Sequence, residues 1–486
     1  MSEPTPTGIN RHIWPLAVVV VAGAIMSILD TTIVNVAIET LSVDLKSPIG
    51  SVQWVVTGYM LALAAVIPVT GWAAARFGAR RLYLISLVLF TAGSALCGFA
   101  WSAESLIGAR VLQGLGGGML MPIGQMILVR AAGPKNMARV MSAIGVPIIL
   151  APVFGPTLGG LVVQHAGWQW IFFVNLPIGI AAVFAAIRLL PRDEASPARA
   201  GKLDATGLAL VATGLVGITY GLAESGTAGS LLADSVMVPL LLGIALVTAF
   251  VIRALKIDNP LLDVRLYANR AFAAASVTMA ALGAALFGAM VLMPLYFQLV
   301  RGEDAVHTGL LLAPQGIGAA LAMALSGRVT ERLGGGLTSL IGGTITIFAT
   351  IPFVLIEADT SFLLISAAMV VRGFGIGMSM MPSMTAAYAV LRPDQINDAT
   401  PQLNVLQRVG GSIGTAILAV VLQSGISGLG TPTPAGIAGA FGDTYYWVLG
   451  ISLVALLPTI VLATIERRAK ASAEPLPAEI ALEAVA

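Results

Sequence analysis

The sequence predicts an all-α polytopic membrane protein of fourteen spans, two six-helix bundles with two extra central helices. Apolar stretches of about 20 residues, the length of a helix that crosses a bilayer, recur along all 486 residues. Only 10% of residues are charged and 57% are hydrophobic, with mean hydropathy +0.92, whereas soluble domains run nearer a quarter charged. The chain also repeats itself. GWAAARFGARR (Gly71–Arg81) resembles GRVTERLGGG (Gly327–Gly336), and GGGMLMP (Gly116–Pro122) resembles GMSMMP (Gly377–Pro382) at nearly the same separation.

In order, the predicted spans are residues 13–38, 52–75, 82–100, 104–130, 138–164, 169–190, 205–223, 236–256, 271–297, 307–326, 337–356, 361–390, 398–424 and 445–464. The polar start, 1–12, reads as a cytoplasmic tail, and the span after it is too long and uninterrupted for a cleaved signal peptide. The first bundle is then 13–190 and the second 271–465. Between them, 191–270 is a linker whose two spans belong to neither repeat, and 466–486 reads as a disordered cytoplasmic tail. Parallel halves with a substrate site between them are a transporter arrangement.

Basic residues set the orientation. One set of connections holds Arg76, Arg80, Arg81, Arg130, Lys135, Arg139, Arg188, Arg192, Arg253, Arg265, Arg328, Arg332 and Arg392 among others, and the termini add Arg11, Arg467 and Arg468. The alternate set holds only Lys46 and Arg301. Both termini are expected in the cytoplasm.

Several functions are disfavoured. The basic residues are spread along the chain, so the net charge of +2 does not point to nucleic acid. His12, His165 and His307 lie far apart and suggest no metal site, and the single Cys97 can form no intrachain disulfide. No soluble domain, nucleophile–base phrase or nucleotide-binding GxxxxGK[ST] loop appears, which argues against a membrane enzyme or an ATP-driven pump.

Asp30 is the one carboxylate well inside an apolar span, and an acid at that depth is costly unless protonated, paired or wet. It marks a candidate proton or ion pathway. Arg110, in LIGARVLQGLGGG (Leu106–Gly118), enters its span from the outside and lies roughly 9 Å below that surface, against roughly 10 Å for Asp30. Opposite charges at one depth could pair, as a structural salt bridge or as a coupling site. Glu224, at the outer end of the seventh span, is a third candidate for proton coupling. APVFGPTLGG (Ala151–Gly160) is dense in glycine and proline: ordinary membrane-helix packing, or a kink that moves. In Gly71–Arg81, a tight Gly78 turn carries arginines that read either as a positive-inside loop or as a latch to neighbouring helix ends. The candidate pocket comprises Asn35, Gln113, Met119, Met121, Gln125, Tyr296, Gln298, Gln315, Met378, Asn404 and Arg408. Methionine stripes are usually plain core, although flexible thioethers also suit a site that takes several hydrophobic shapes.

These phrases resemble the major facilitator superfamily, specifically its fourteen-span drug:proton antiporter branch, the EmrB/QacA type. LDTTIVNVA (Leu29–Ala37) is similar to the branch's first-span signature, and the sequence around Arg110 to the fourth-span motif whose arginine is linked to proton transfer. AxxxGPxxGG, with Gly155, Pro156, Gly159 and Gly160, is similar to the antiporter motif of the fifth span, with Ala151 where glycine is usual. GWQWIFFVNLPIG (Gly167–Gly179), PLYFQ (Pro294–Gln298) and NVLQRVGGSIG (Asn404–Gly414) are further phrases of the branch, and the likeness runs from about residue 13 to 465. The loop motif GxxxDRxGRR keeps Gly71, Arg76, Gly78 and Arg80 but has Ala75 for its acid and Ala79 for an arginine, so a latch that needs that aspartate is in doubt. Glu39 stands where many relatives have proline.

The resemblance implies the major facilitator fold and a proton-coupled antiporter in a bacterial cytoplasmic membrane. It would export lipophilic drugs or antibiotics, cations among them, with no cofactor beyond the proton gradient. Its partners would be small lipophilic substrates, protons and lipid. Some relatives use a periplasmic adaptor, and nothing in this sequence indicates one. An exporter dedicated to one endogenous metabolite or self-made antibiotic fits equally, and a nutrient symporter less well.

Overall fold

The computed structural model describes residues 13–192, 201–430 and 432–473, and every regular element among the described residues is a helix. In lipid each backbone group must be paired within its own structure, and a helix does this inside one segment. The first half holds α1 (Ile13–Val36), a short α2 (Ile38–Asp44), α3 (Ile49–Val66), α4 (Thr70–Phe77), α5 (Ala79–Gly98), α6 (Ala103–Ala166), α7 (Trp170–Phe173) and α8 (Asn175–Leu189). Next come α9 (Ala205–Ala228) and α10 (Asp234–Lys256). The second half holds α11 (Arg270–Leu299), α12 (Ala305–Leu333), α13 (Gly335–Val354), α14 (Phe362–Ala389), α15 (Ile396–Ser427) and α16 (Pro434–Ala473). Among the described residues, 13 segments are long and apolar enough to cross a membrane. The predicted span 138–164 lies in the remaining arm of α6.

Two spans are not simple rods, and local chemistry explains each. Pro68 lacks an N–H, and the predicted span 52–75 tightens there into a 3-10 turn, Ile67–Val69, between α3 and α4. The sixth span breaks after four residues, at Val174, so that Asn175 opens α8. The fourth and fifth spans are, as expected, separate helices: the two arms of α6, between which the chain reverses at Gly133 (φ 62, ψ 173). The reversal is visible against α1. The first arm runs antiparallel to it, Gly124 beside Val20 and Gly117 beside Ser27, and the second parallel to it, Gly155 beside Thr32 and Gly159 beside Ile33.

At the C-terminus α16 stays helical to Ala473, past residue 466 where the sequence suggests a disordered tail; 474–486, like 1–12, 193–200 and 431, lie outside the described residues. The helix continues because Glu466 is held, accepting the Gly335 and Gly336 amides at the start of α13. The two repeats fold alike at their turns: Gly78 (φ 89, ψ 140) precedes α5 as Gly334 (φ 96, ψ 162) precedes α13.

Helices α1 to α8 pack on one another, as do α11 to α16. The α9–α10 hairpin, fastened by Asp204 to Arg253 at 2.9 Å, sits against both halves, α9 touching α3 and α15. The halves meet chiefly where the second arm of α6 lies along α12: Thr157 beside Gly309, Gly145 beside Met323, Arg139 beside Gly327. A methionine-rich apolar cluster fills the middle and draws on both halves, with Met119, Met126, Met323, Met380, Met381 and Met384 buried in it.

Gly133→Ala puts a Cβ into a backbone region that is essentially glycine-only, and should cost about 1–3 kcal/mol. Thermal unfolding of the purified variant checks this; an unchanged midpoint would mean that the turn relaxes without strain.

Candidate functional site

Asp30 faces into the first half and is 1% exposed. Its carboxylate meets donors from two other helices. Arg110 Nη1, on α6, binds Oδ2 in a fully buried ion pair. Gln113, one turn along α6, donates from Nε2 to Oδ1 at 2.8 Å, and Asn175 at the start of α8 donates from Nδ2 to the same oxygen at 3.4 Å. Asn175 is itself oriented by Ser94 Oγ at 3.1 Å, and Ser94 donates to the Phe172 carbonyl at 2.9 Å. The break before α8 is what points Asn175 inward.

Arg110 is equally determined. Nε donates to the Val55 carbonyl at 3.0 Å and Nη1 also reaches Gln113 Oε1 at 2.9 Å. Its guanidinium lies 4.1 Å from the centre of the Tyr59 ring, a cation–π contact strengthened by the absence of water. Tyr59 shares a hydrogen bond with Ser27 Oγ at 3.1 Å. Small residues allow this convergence: a Cβ at Gly93 would stand 2.7 Å from Gln113 Cα, and one at Gly117 2.5 Å from Tyr59 Oη.

With Asp30 ionised, the cluster is electrically neutral. Protonating Asp30 leaves a buried guanidinium with nothing opposite, and Arg110 Nη2 already lacks a partner among the described residues. Separating such a pair costs on the order of 3–5 kcal/mol unless the protein rearranges. The site is therefore chemically suited to convert a proton into a change of helix packing. Thr32, two residues beyond Asp30, meets the second arm of α6: a Cβ at Gly155 would fall 1.9 Å from its Oγ1. That arm is also the one that lies on α12 of the other half.

A second group of contacts joins the halves on the arginine-rich face. Arg139 and Glu331 form a two-pronged ion pair at 2.6 and 2.7 Å, each between a quarter and a third exposed. Arg130 Nη2 donates to Asn397 Oδ1 at 2.8 Å, Asn404 Nδ2 to buried Gln125 Oε1 at 2.8 Å, and Ser142 shares a bond with Ser326 at 2.9 Å. Gly71 approaches the Asn397 carbonyl so closely that a Cβ would lie 2.3 Å from it. These bonds close one end of the interface between the halves.

The structure distributes the sequence-derived candidates unevenly. Asp30, Arg110 and Gln113 come together, so Gln113 belongs to the charge cluster and not to a pocket. Glu224, on α9, has no hydrogen bond or ion pair to Asp30 or Arg110 among the described residues, because α9 lies outside the first bundle. Gln125 and Asn404 join the halves directly. Met119, Met121 and Met378 are core or near-core residues. Arg408, half-buried one turn beyond Asn404, lies within electrostatic reach of Tyr59. Four further pocket candidates are placed by the way their helices are rotated. Tyr296 is fully buried between Phe297 and Phe441 and donates to the Glu357 carbonyl at 2.6 Å, a structural post. Gln298 and Asn35 are exposed. Gln315 is bound to Arg372 at 3.3 Å.

Of the gating residues, Arg80 donates to the Ile187 carbonyl at the end of α8, a bridge within its own half, and Arg76 is exposed. Gly155, Gly159 and Gly160 are buried, and the Pro156 side chain lies outside the described set. Sequence reasoning missed Tyr59, Ser94 and Asn175; a polar residue directly after an aromatic run in a span was the available signal for Asn175.

A family model described as Major Facilitator Superfamily matches residues 20–415. The chain is 42% identical over 420 residues to a multidrug resistance protein B homolog of Mycobacterium tuberculosis, covering 86% of this chain and 77% of that protein. It is 31% identical over 395 residues to the multidrug export protein EmrB of Escherichia coli, covering 81% and 77%. The crystal structure of the human organic anion transporter TETRAN matches with a TM-score of 0.60, covering 93% of this chain and 99% of that one; at 14% identity this is a likeness of fold.

Gln113→Ala removes the shortest neutral donor to Asp30 Oδ1 and should destabilise the fold by about 1–3 kcal/mol. Denaturant titration in detergent micelles measures it, and a change below about 0.5 kcal/mol, the range of ordinary surface substitutions, would argue against a tightly held carboxylate.

Proposed function

The chain belongs to the major facilitator superfamily and is a multi-pass membrane transporter, and on that premise we propose that it is a proton-coupled antiporter exporting lipophilic drugs or antibiotics, cations among them. The names of the relatives support a multidrug substrate range. The observation that carries the coupling is the buried Asp30–Arg110 pair, where a single proton changes a buried net charge.

Positive-inside asymmetry assigns the arginine-rich face to the cytoplasm of a bacterial inner membrane. The present conformation is then closed on the cytoplasmic side by Arg139–Glu331, Arg130–Asn397 and Gln125–Asn404. A proton entering from outside neutralises Asp30 and releases Arg110 from it. α1 and the second arm of α6, in contact at Thr32 and Gly155, then shift together against α12, and the cytoplasmic bonds part. Substrate enters between the halves among the methionines. Loss of the proton to the cytoplasm restores the ion pair and the outward-facing state. Each pH unit supplies about 1.4 kcal/mol, and each net charge moved supplies about 2.3 kcal/mol per 100 mV. Exchange of one proton for one monovalent cation is electroneutral and is driven by the pH gradient alone.

Asp30→Asn keeps the hydrogen-bonding shape of the side chain but cannot exchange a proton. In proteoliposomes with an imposed pH gradient and a panel of unrelated dyes, wild type should accumulate dye and move protons on dye addition, and Asp30→Asn should do neither while remaining folded. Proton movement by Asp30→Asn equal to wild type would sink the coupling role.

A further inference from the structure

The second half contains a buried cation that this exchange cycle leaves unused. Arg372 lies about 15 Å along α14 from Phe362 and is 2% exposed. Unlike Arg110, it has no carboxylate within ion-pair distance among the described residues. Its one hydrogen bond there is Nη1 to Gln315 Oε1 at 3.3 Å, and its Nε has no partner. An arginine cannot shed its proton to escape this, and an unanswered charge at membrane depth costs several kcal/mol.

Arg372 lines a cavity of about 30 Å³ bounded by α11, α13, α14 and α16. The hydroxyls on its wall, Thr346, Ser379, Ser452 and Thr459, each donate to a carbonyl of their own helix, so they bring no hydrogen to the space. Tyr445, about two turns before Ser452 on α16, lies outside that wall but within electrostatic reach of Arg372, its Oη buried without a partner and its ring stacked on Phe353 at 5.2 Å. The free donor on the wall is therefore a guanidinium N–H, with no acid opposite among the described residues.

We propose that this cavity is a binding site for a small inorganic monovalent anion of chloride size, held by Arg372. Water would satisfy the hydrogen bonds but leave the charge. The space holds one or two water-sized bodies, whereas drug-sized ligands need several hundred Å³, so the occupant is not the exported compound. The site lies within one half and is independent of Asp30. Its anion neutralises the second bundle as Asp30 neutralises the first.

The test uses the full-length protein in nanodiscs, with unfolding temperature followed as chloride or bromide replaces gluconate at constant ionic strength. Wild type should show a saturable rise of about 2–6 °C. Arg372→Gln should abolish it, and Asp30→Asn should leave it intact. A wild type indifferent to halide, or a rise retained in Arg372→Gln, overturns the proposal. If Arg372→Gln does not fold, anomalous scattering from bromide-grown wild-type crystals decides: a peak beside the guanidinium supports the site, and its absence overturns it.

Discussion

A charge buried in a membrane-spanning bundle has to be answered by another group, and the arrangement of the first half follows from answering Asp30. Arg110 and Gln113 on α6, Asn175 on α8 and the Val55 carbonyl on α3 reach one point because α5 and α6 present glycines where side chains would hold the helices apart. Tyr59 closes the guanidinium's remaining face. Such a cluster is stable in one packing and costly in any other that separates the pair.

The two halves are not equivalent in how they hold charge. The first pairs its cation internally; the second carries Arg372 without an acid. The same asymmetry appears at the face where the halves join. The first repeat lacks the acid of its loop, Ala75 standing in its place, while the second has Glu331, and it is Glu331 that crosses to Arg139. On the other flank, α15 is held by hydrogen bonds without an acid, from Arg130 to Asn397 and from Asn404 to Gln125. A partly exposed ion pair contributes up to about 1 kcal/mol and separates easily.

Much of the fold was legible in the sequence, and particular residues mark where legibility stopped. Span positions followed from hydropathy, and with them the reversal between the fourth and fifth spans, but not that Gly133 makes it, since one residue in an unusual conformation leaves little trace in composition. Asp30 and Arg110 could be placed at similar depth by counting residues at helical rise. Asn35, Tyr296 and Gln298 could not be assigned, because which face of a helix meets the interior depends on its rotation against neighbours. Gln113 and Gln125 make the same point on one helix: the first turns to the charge cluster, the second to the opposite half.

By itself, the sequence determined which segments enter the membrane and which of its charges would be costly there. Lipid acts on the chain locally, and each residue's solvation is nearly independent of the rest. Tertiary structure decided how those costs are met. Asp30 finds Arg110 and Asn175, Arg139 finds Glu331, and Arg372 finds a cavity, across separations that only the crossing and rotation of packed helices can close.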